Sequence, residues 1–165
     1  MKHPKAIKPK GDQESVWEYP RPPVLDKMSS HVEVVFAGSK IASSNSAIRY
    51  LETSHPPTIY IPPQDVDMTF LKESSHSSYC EWKGRAKYYD LIAEGKIVKN
   101  AAWFYPDPKV AFKELKDHIA FYPSKMEACF MDGEKVLAQE GDFYGGWITS
   151  KIVGPFKGGV GTFGW

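Results

Sequence analysis

Cys80 stands in the run SSHSSYCEWKGRAKYY, with His76 four residues before it and Lys83 three after. A nucleophilic or redox-active thiol needs its pKa lowered by a nearby cation or a histidine base, and this run holds both side-chain types. Strand alternation works against the lysine as that partner. It places Tyr79, Glu81 and Lys83 on one face and Ser78, Cys80 and Trp82 on the other, unless Gly84 marks a bulge. His76 shares the face of Cys80 in an unbroken strand, but some distance along it. Cysteine is also among the residues most often buried and inert, so a core role stands beside the reactive one.

A second constellation lies in RYLETSHPP, where Arg49, Glu52 and His55 offer a cation, a carboxylate and a titratable ring within seven positions. General acid–base work uses such groups, and the two prolines after His55 hold its backbone extended at a strand end. The plainer alternative is an exposed Arg–Glu pair beside a turn histidine. His55, His76, Cys80 and His118 are ligand types for a metal, but they scatter over more than sixty residues without diagnostic spacing. Neither a metal nor a cofactor is expected. The glycines at 145–146 and 158–161 lack a following Lys-Ser/Thr and helix, which argues against a phosphate loop.

Rings are the strongest compositional signal, at 14% of residues. Tyr60, Tyr79, Trp82, Tyr88, Tyr89, Trp103, Tyr105, Phe121, Tyr122, Phe143, Tyr144 and Trp147 are numerous enough to fill a core and wall a pocket as well. In such a pocket Arg49, Lys83 or the tyrosine hydroxyls would orient a planar or cationic ligand.

The elements that must position these groups read mainly as strands. Three stretches share one plan, two apolar-patterned strands around a glycine-containing turn: VEVVFAGSKIASS from Val32, YYDLIAEGKIVKNAAWFY from Tyr88 and MEACFMDGEKVLAQ from Met126. Asp132-Gly133 suits the positive φ angles of a type I′ turn. The first and third stretches align residue on residue, which an old duplication or the limited vocabulary of hairpins would equally explain. Residues 47–52 (AIRYLE) and TIYI before Pro62 read as further strands, and short helices are expected from Pro63 and from Pro108 to about Asp117. After Lys151 the glycine-rich tail promises no regular element, with Phe156, Phe163 and Trp165 as its candidate anchors.

The 165 residues fit one domain, with 21 basic against 20 acidic side chains, so no electrostatic argument favours nucleic acid. Cys80 and Cys129 are the only cysteines and form no CxxC pair. A reducing cytosol is the simplest setting. Residues 1–13 read as a flexible basic tail with no apolar stretch of a signal peptide, and nothing reads as a membrane span. Residues 14–165 read as the domain, opening with a Pro-rich arm that carries Trp17 and Tyr19.

Several segments carry a family resemblance: SVWEYPRPP, LETSHPPTIYIPPQDVDM, YCEWKGRAKYYDL, NAAWFYPDP and AFYPSKMEACFMDGEKV. Together they resemble the family called domain of unknown function 427. The characteristic residues are Cys80, Lys83 and Gly84; Tyr60, Pro62, Asp65 and Val66; and Ala101, Trp103 and Tyr105. The resemblance implies a small antiparallel β-barrel or tent-like fold, similar to folds that also house methionine sulfoxide reductases and some ligand-binding modules. Such relatives often carry two CxxC zinc knuckles; this sequence has neither, and the family lends no activity. The expectation is a cytosolic, mainly β domain that binds a small molecule through Arg49, Tyr60, Lys83, Trp103 and Tyr105. The alternatives are an enzyme using Cys80 with Lys83 or His76 and with Glu52 or His55 moving protons, and a protein-interaction module using the arm.

Overall fold

In the segment VEVVF the apolar residues Val32, Val34 and Phe36 are all fully buried, as a strand with one face on the core requires. The computed structural model describes residues 4–141 and 143–165. Along them run β1 (Glu14–Ser15), β2 (Val24–Lys27), β3 (Val32–Phe36), β4 (Ser39–Ser44), β5 (Ile48–Leu51), β6 (Thr58–Tyr60), β7 (Leu71–Cys80) and β8 (Gly84–Ala93). There follow β9 (Lys96–Phe104), β10 (Ala120–Phe121), β11 (Ala128–Met131), β12 (Glu134–Lys135), β13 (Leu137–Ala138), β14 (Trp147–Ile148) and β15 (Ile152–Val153).

Two four-stranded sheets, ordered β12-β11-β3-β4 and β10-β9-β8-β7, and a three-stranded sheet, β2-β5-β6, hold most of these strands. All three are antiparallel, whereas β1 and β15 form a short parallel pair. The chain is therefore mainly β. The expected barrel is corrected, because the sheets stay open: β10 and β12, which end two of them, are two residues long and too short to carry a ladder onward.

Each predicted hairpin forms, as β3-β4, β8-β9 and β11-β12. Asp132 and Gly133 have φ of 48° and 82°, and Ala37 and Gly38 have 50° and 76°, the two consecutive positive values of a type I′ turn. The two hairpins that align in sequence lie side by side, β11 against β3, with Cys129 opposite Val34 in the core.

The expected helices are 3-10 turns instead. The first resolves into Pro63–Asp65 and Met68–Phe70. Between them Val66 is extended, because it bridges to Ala42, and this tertiary pairing outweighs the local preference. The second is Val110–Leu115, kinked at Phe112. Residues 47–52 give β5, as the alternating reading predicts.

The arm and the tail meet. Val16, Tyr19, Leu51 and Ile152 form a small core of their own, flanked by Trp17 and Phe156. The Trp17 ring stands 5.6 Å from that of Trp165 edge-on, and its Nε1 donates to the Pro155 carbonyl at 2.8 Å. Phe163, also expected to anchor the tail, is exposed. Of the predicted basic tail, residues 1–3 lie outside the described residues; Ile7 N–H donates to the Gly154 carbonyl at 2.8 Å, and Gln13 Nε2 to that of Ser150 at 3.0 Å. Among the described residues no helix is long and apolar enough to cross a membrane.

Candidate functional site

Tyr50 on β5 and Tyr60 at the end of β6 come from the three-stranded sheet; Tyr88 on β8 and Trp103 on β9 come from a four-stranded one. The Tyr50, Tyr88 and Trp103 rings line a cavity of about 130 Å³, and Tyr60, fully buried, supports it from outside the lining. Glu52 and His55, just past β5, line it as well, and Phe143 and Tyr144 reach it from a glycine-flanked loop.

Cys80 and Lys83 both line this cavity. The alternation argument separated them, and the chain escapes it because β7 ends at Cys80 and β8 begins at Gly84, with Glu81–Lys83 forming a turn. Gly84 has φ of 105°, a backbone conformation that side chains other than glycine's rarely adopt. The Lys83 carbonyl, turned outward, accepts from Lys109 N–H at 2.9 Å while the side chain enters the protein.

Lys83 is only 7% exposed. Its Nζ lies 3.8 Å from the centre of the Tyr50 ring, 5.1 Å from that of Tyr105 and 5.5 Å from that of Tyr60. It donates one hydrogen bond, to Tyr60 Oη at 3.0 Å, and Trp103 Nε1 donates to the same oxygen at 3.3 Å. No carboxylate stands within 4 Å of the ammonium among the described residues. A desolvated cation over an aromatic face gains about 2 kcal/mol, whereas burying a charge without a counterion costs several, so the rings offset only part of the cost.

Tyr50 adds a second unmet demand. Its hydroxyl is fully buried and makes no well-formed hydrogen bond, the Glu52 carboxylate being the acceptor nearby. Burial raises its pKa strongly, and the nearby Glu52 carboxylate adds to the effect, so the phenol stays protonated. Tyr105, raised mainly by burial, does the same.

At the other end His55 is held neutral. Burial pushes its pKa down to about 3, and Lys157, Arg21 and Lys83 add repulsion. The tautomer follows from Gln139, whose Oε1 accepts from Gly146 N–H at 3.0 Å and whose Nε2 donates to the Lys157 carbonyl at 2.7 Å. With the amide so fixed, Gln139 Nε2 also faces His55 Nδ1 as a donor at 3.4 Å. The proton therefore sits on His55 Nε2, 4.0 Å from Glu52 Oε2. Glu52 is bound at 3.1 Å by Arg21. The Tyr144 ring covers His55 edge-on at 4.6 Å.

Of the predicted site residues, Lys83, Trp103, Tyr105, Cys80, Glu52 and His55 thus share one cavity, whereas Tyr60 is fully buried outside its lining and reaches it only through its hydrogen bonds with Lys83 and Trp103. Arg49 does not. It points to the opposite face of β5, where Asp26 Oδ2 accepts from it at 2.7 Å and Glu14 Oε1 at 2.8 Å, beside a larger groove of about 460 Å³ whose arginine is already satisfied. His76, expected behind Cys80, is exposed and lies against the Tyr88 ring at 4.6 Å, because β7 slips register between Glu73 and Ser77. Among the described residues no three of His, Cys, Asp and Glu converge to hold a metal ion. Tyr50, Arg21 and Gln139 were missed. For Tyr50 the signal was available, since it shares the even-numbered face of β5 with Ile48 and so opposes Arg49.

Comparison with known families agrees with the motifs. A family model described as a domain of unknown function, DUF427, matches residues 24–132, well over half of the chain, and includes every residue of the cavity except Phe143 and Tyr144. No curated protein matches the sequence.

Proposed function

Since the chain belongs to the DUF427 family, whose description assigns no activity, we propose from the site itself that this is a small-molecule-binding domain, cytosolic in setting, with the ligand held between the two sheets. The observation that carries the reading is the conjunction, in one cavity, of a buried ammonium with a single hydrogen bond and a buried phenol without a well-formed one. Unsatisfied buried polar groups cost stability, and a ligand that supplies their partners recovers it. The volume supports a ligand of modest size, for about 150 Å³ accommodates benzene in an apolar cavity.

Thermal-shift screening of the intact chain with small metabolites tests this. A ligand present at about 100 times its Kd adds about 2.7 kcal/mol, or about 5–10 °C for a chain of this length. Trp103→Ala, or Tyr105→Leu where the first variant folds poorly, should remove that gain. A screen without any stabilising compound, or an undiminished shift in both variants, would sink the reading.

A second reading is favoured by one observation: Cys80 is a free, half-buried thiol on the same cavity as Lys83. In that case Cys80 acts as nucleophile, with Lys83 stabilising the thiolate. Alkylation followed against pH separates the two. Rapid modification of Cys80 below pH 7 supports the nucleophile, and reaction only near the ordinary thiol value of about 8.5 removes it. Cys129 is an internal control, since burial pushes its thiol up to about 12.

A further inference from the structure

We infer that the ligand is a small monocarboxylate, bound with its carboxylate against Lys83; the inference rests on the binding reading above and names its ligand class. The argument is one of donors and charge. The Lys83 ammonium has three N–H groups and uses one of them on Tyr60. Tyr60 Oη accepts from both Lys83 and Trp103 and lies outside the cavity lining, so it holds the ammonium in place rather than meeting the ligand. The Tyr50 hydroxyl is buried without a well-formed hydrogen bond, its nearby acceptor being the Glu52 carboxylate. Around Lys83 the cavity therefore offers two unused ammonium N–H groups and a positive charge with no carboxylate within 4 Å among the described residues. The complement is a group with several lone pairs and one negative charge. A carboxylate has two oxygens and about four acceptor sites, enough for the ammonium and the Tyr50 phenol together.

Two features narrow the class. Glu52 lines the same cavity and acts on the Tyr50 hydroxyl, so a second negative charge on the ligand would meet a carboxylate, which disfavours dianions such as phosphate monoesters. The remaining walls include the rings of Tyr88, Trp103 and Tyr144, suited to a flat apolar body. A cavity of about 130 Å³ limits the enclosed body to about one small ring, and benzoate is the simplest aromatic monocarboxylate with one ring to place there.

Benzoate is thus the probe, with benzyl alcohol as its neutral counterpart and inorganic phosphate as the dianionic control, each titrated into the intact chain at pH 7.5 and followed by Trp fluorescence and calorimetry. Benzoate should bind at least ten times more tightly than benzyl alcohol, and phosphate should not compete with it. In Lys83→Met, which keeps the side-chain length and removes the charge, benzoate affinity should fall at least tenfold while benzyl alcohol is unaffected. Tyr50→Phe, which keeps the ring beneath the ammonium, should weaken benzoate several-fold without lowering Tm. Equal binding of benzoate and benzyl alcohol, unchanged by Lys83→Met, overturns the anion assignment while leaving a small-molecule site in place. Tighter binding of phosphate than of benzoate also overturns it. Absence of binding by both organic probes overturns it too; the metabolite screen then decides separately whether the binding reading falls with it.

Discussion

His55 ties the acid stability of the protein to the cavity. In the unfolded chain its imidazole takes a proton near pH 6.5, whereas in the folded protein burial drives that value down to about 3. Gln139 Nε2–H opposes the proton on Nδ1, and Lys157, Arg21 and Lys83 repel it from around the ring. Glu52 stands 4.0 Å from Nε2 but is paired with Arg21. Between pH 6.5 and 3 the unfolded state therefore binds one more proton than the folded state, so this contribution to stability is intact above pH 6.5 and is lost as pH falls. Each pH unit well inside that window costs about 1.4 kcal/mol, and integration from pH 7 to pH 5 gives a loss of about 2 kcal/mol from this one group. The assay is urea unfolding at the two pH values for the native sequence and for His55→Gln. The other four histidines, at positions 3, 31, 76 and 118, are present in both proteins and cancel in the difference. The native sequence should lose about 2 kcal/mol more than the variant on going from pH 7 to pH 5. Parallel losses in the two proteins would refute the reasoning, because they would mean that His55 accepts its proton in the folded state about as readily as in the unfolded one.

Two further predictions concern packing and charge. A Cβ on Gly145 would stand 2.4 Å from Trp103 Cη2 and 3.1 Å from Tyr122 Cδ1, so Gly145→Ala should displace the indole, lower Tm by about 2–10 °C and change the near-ultraviolet circular dichroism; an unchanged spectrum and Tm would show that the loop gives way instead. Arg49→Met leaves Glu14 and Asp26 without their shared cation and should cost about 1 kcal/mol in urea unfolding at low salt, less at high salt because those carboxylates are half exposed, while benzoate affinity stays the same. A fall in benzoate affinity would place Arg49 in the site after all.

What the sequence discloses depends on whether a property is local. The type I′ turn at Asp132-Gly133 and the buried face of VEVVF are decided by residues within a few positions of one another, and both appear as read. The 3-10 turns after Pro63 are not local in this sense, since Val66 is drawn into a bridge with Ala42, twenty-four positions away. The site is less local still. Tyr50 and Lys83 meet because β5 belongs to one sheet and the β7–β8 turn to another, and no periodicity within a strand reports which faces of two sheets will oppose. Alternation did carry usable information at β5, where taking Glu52 and His55 for the site while including Arg49 mixed the two faces of a strand; the pleat puts Arg49 on the acidic groove and Tyr50 under the ammonium. At Cys80 and Lys83 the same rule misled for the opposite reason, because it was applied across a turn that a positive φ at Gly84 had already ended. The cavity exists at that joint: a lysine in a regular strand would extend along one sheet face, whereas a lysine at the corner between two strands can be turned into the space between sheets and left there without a carboxylate.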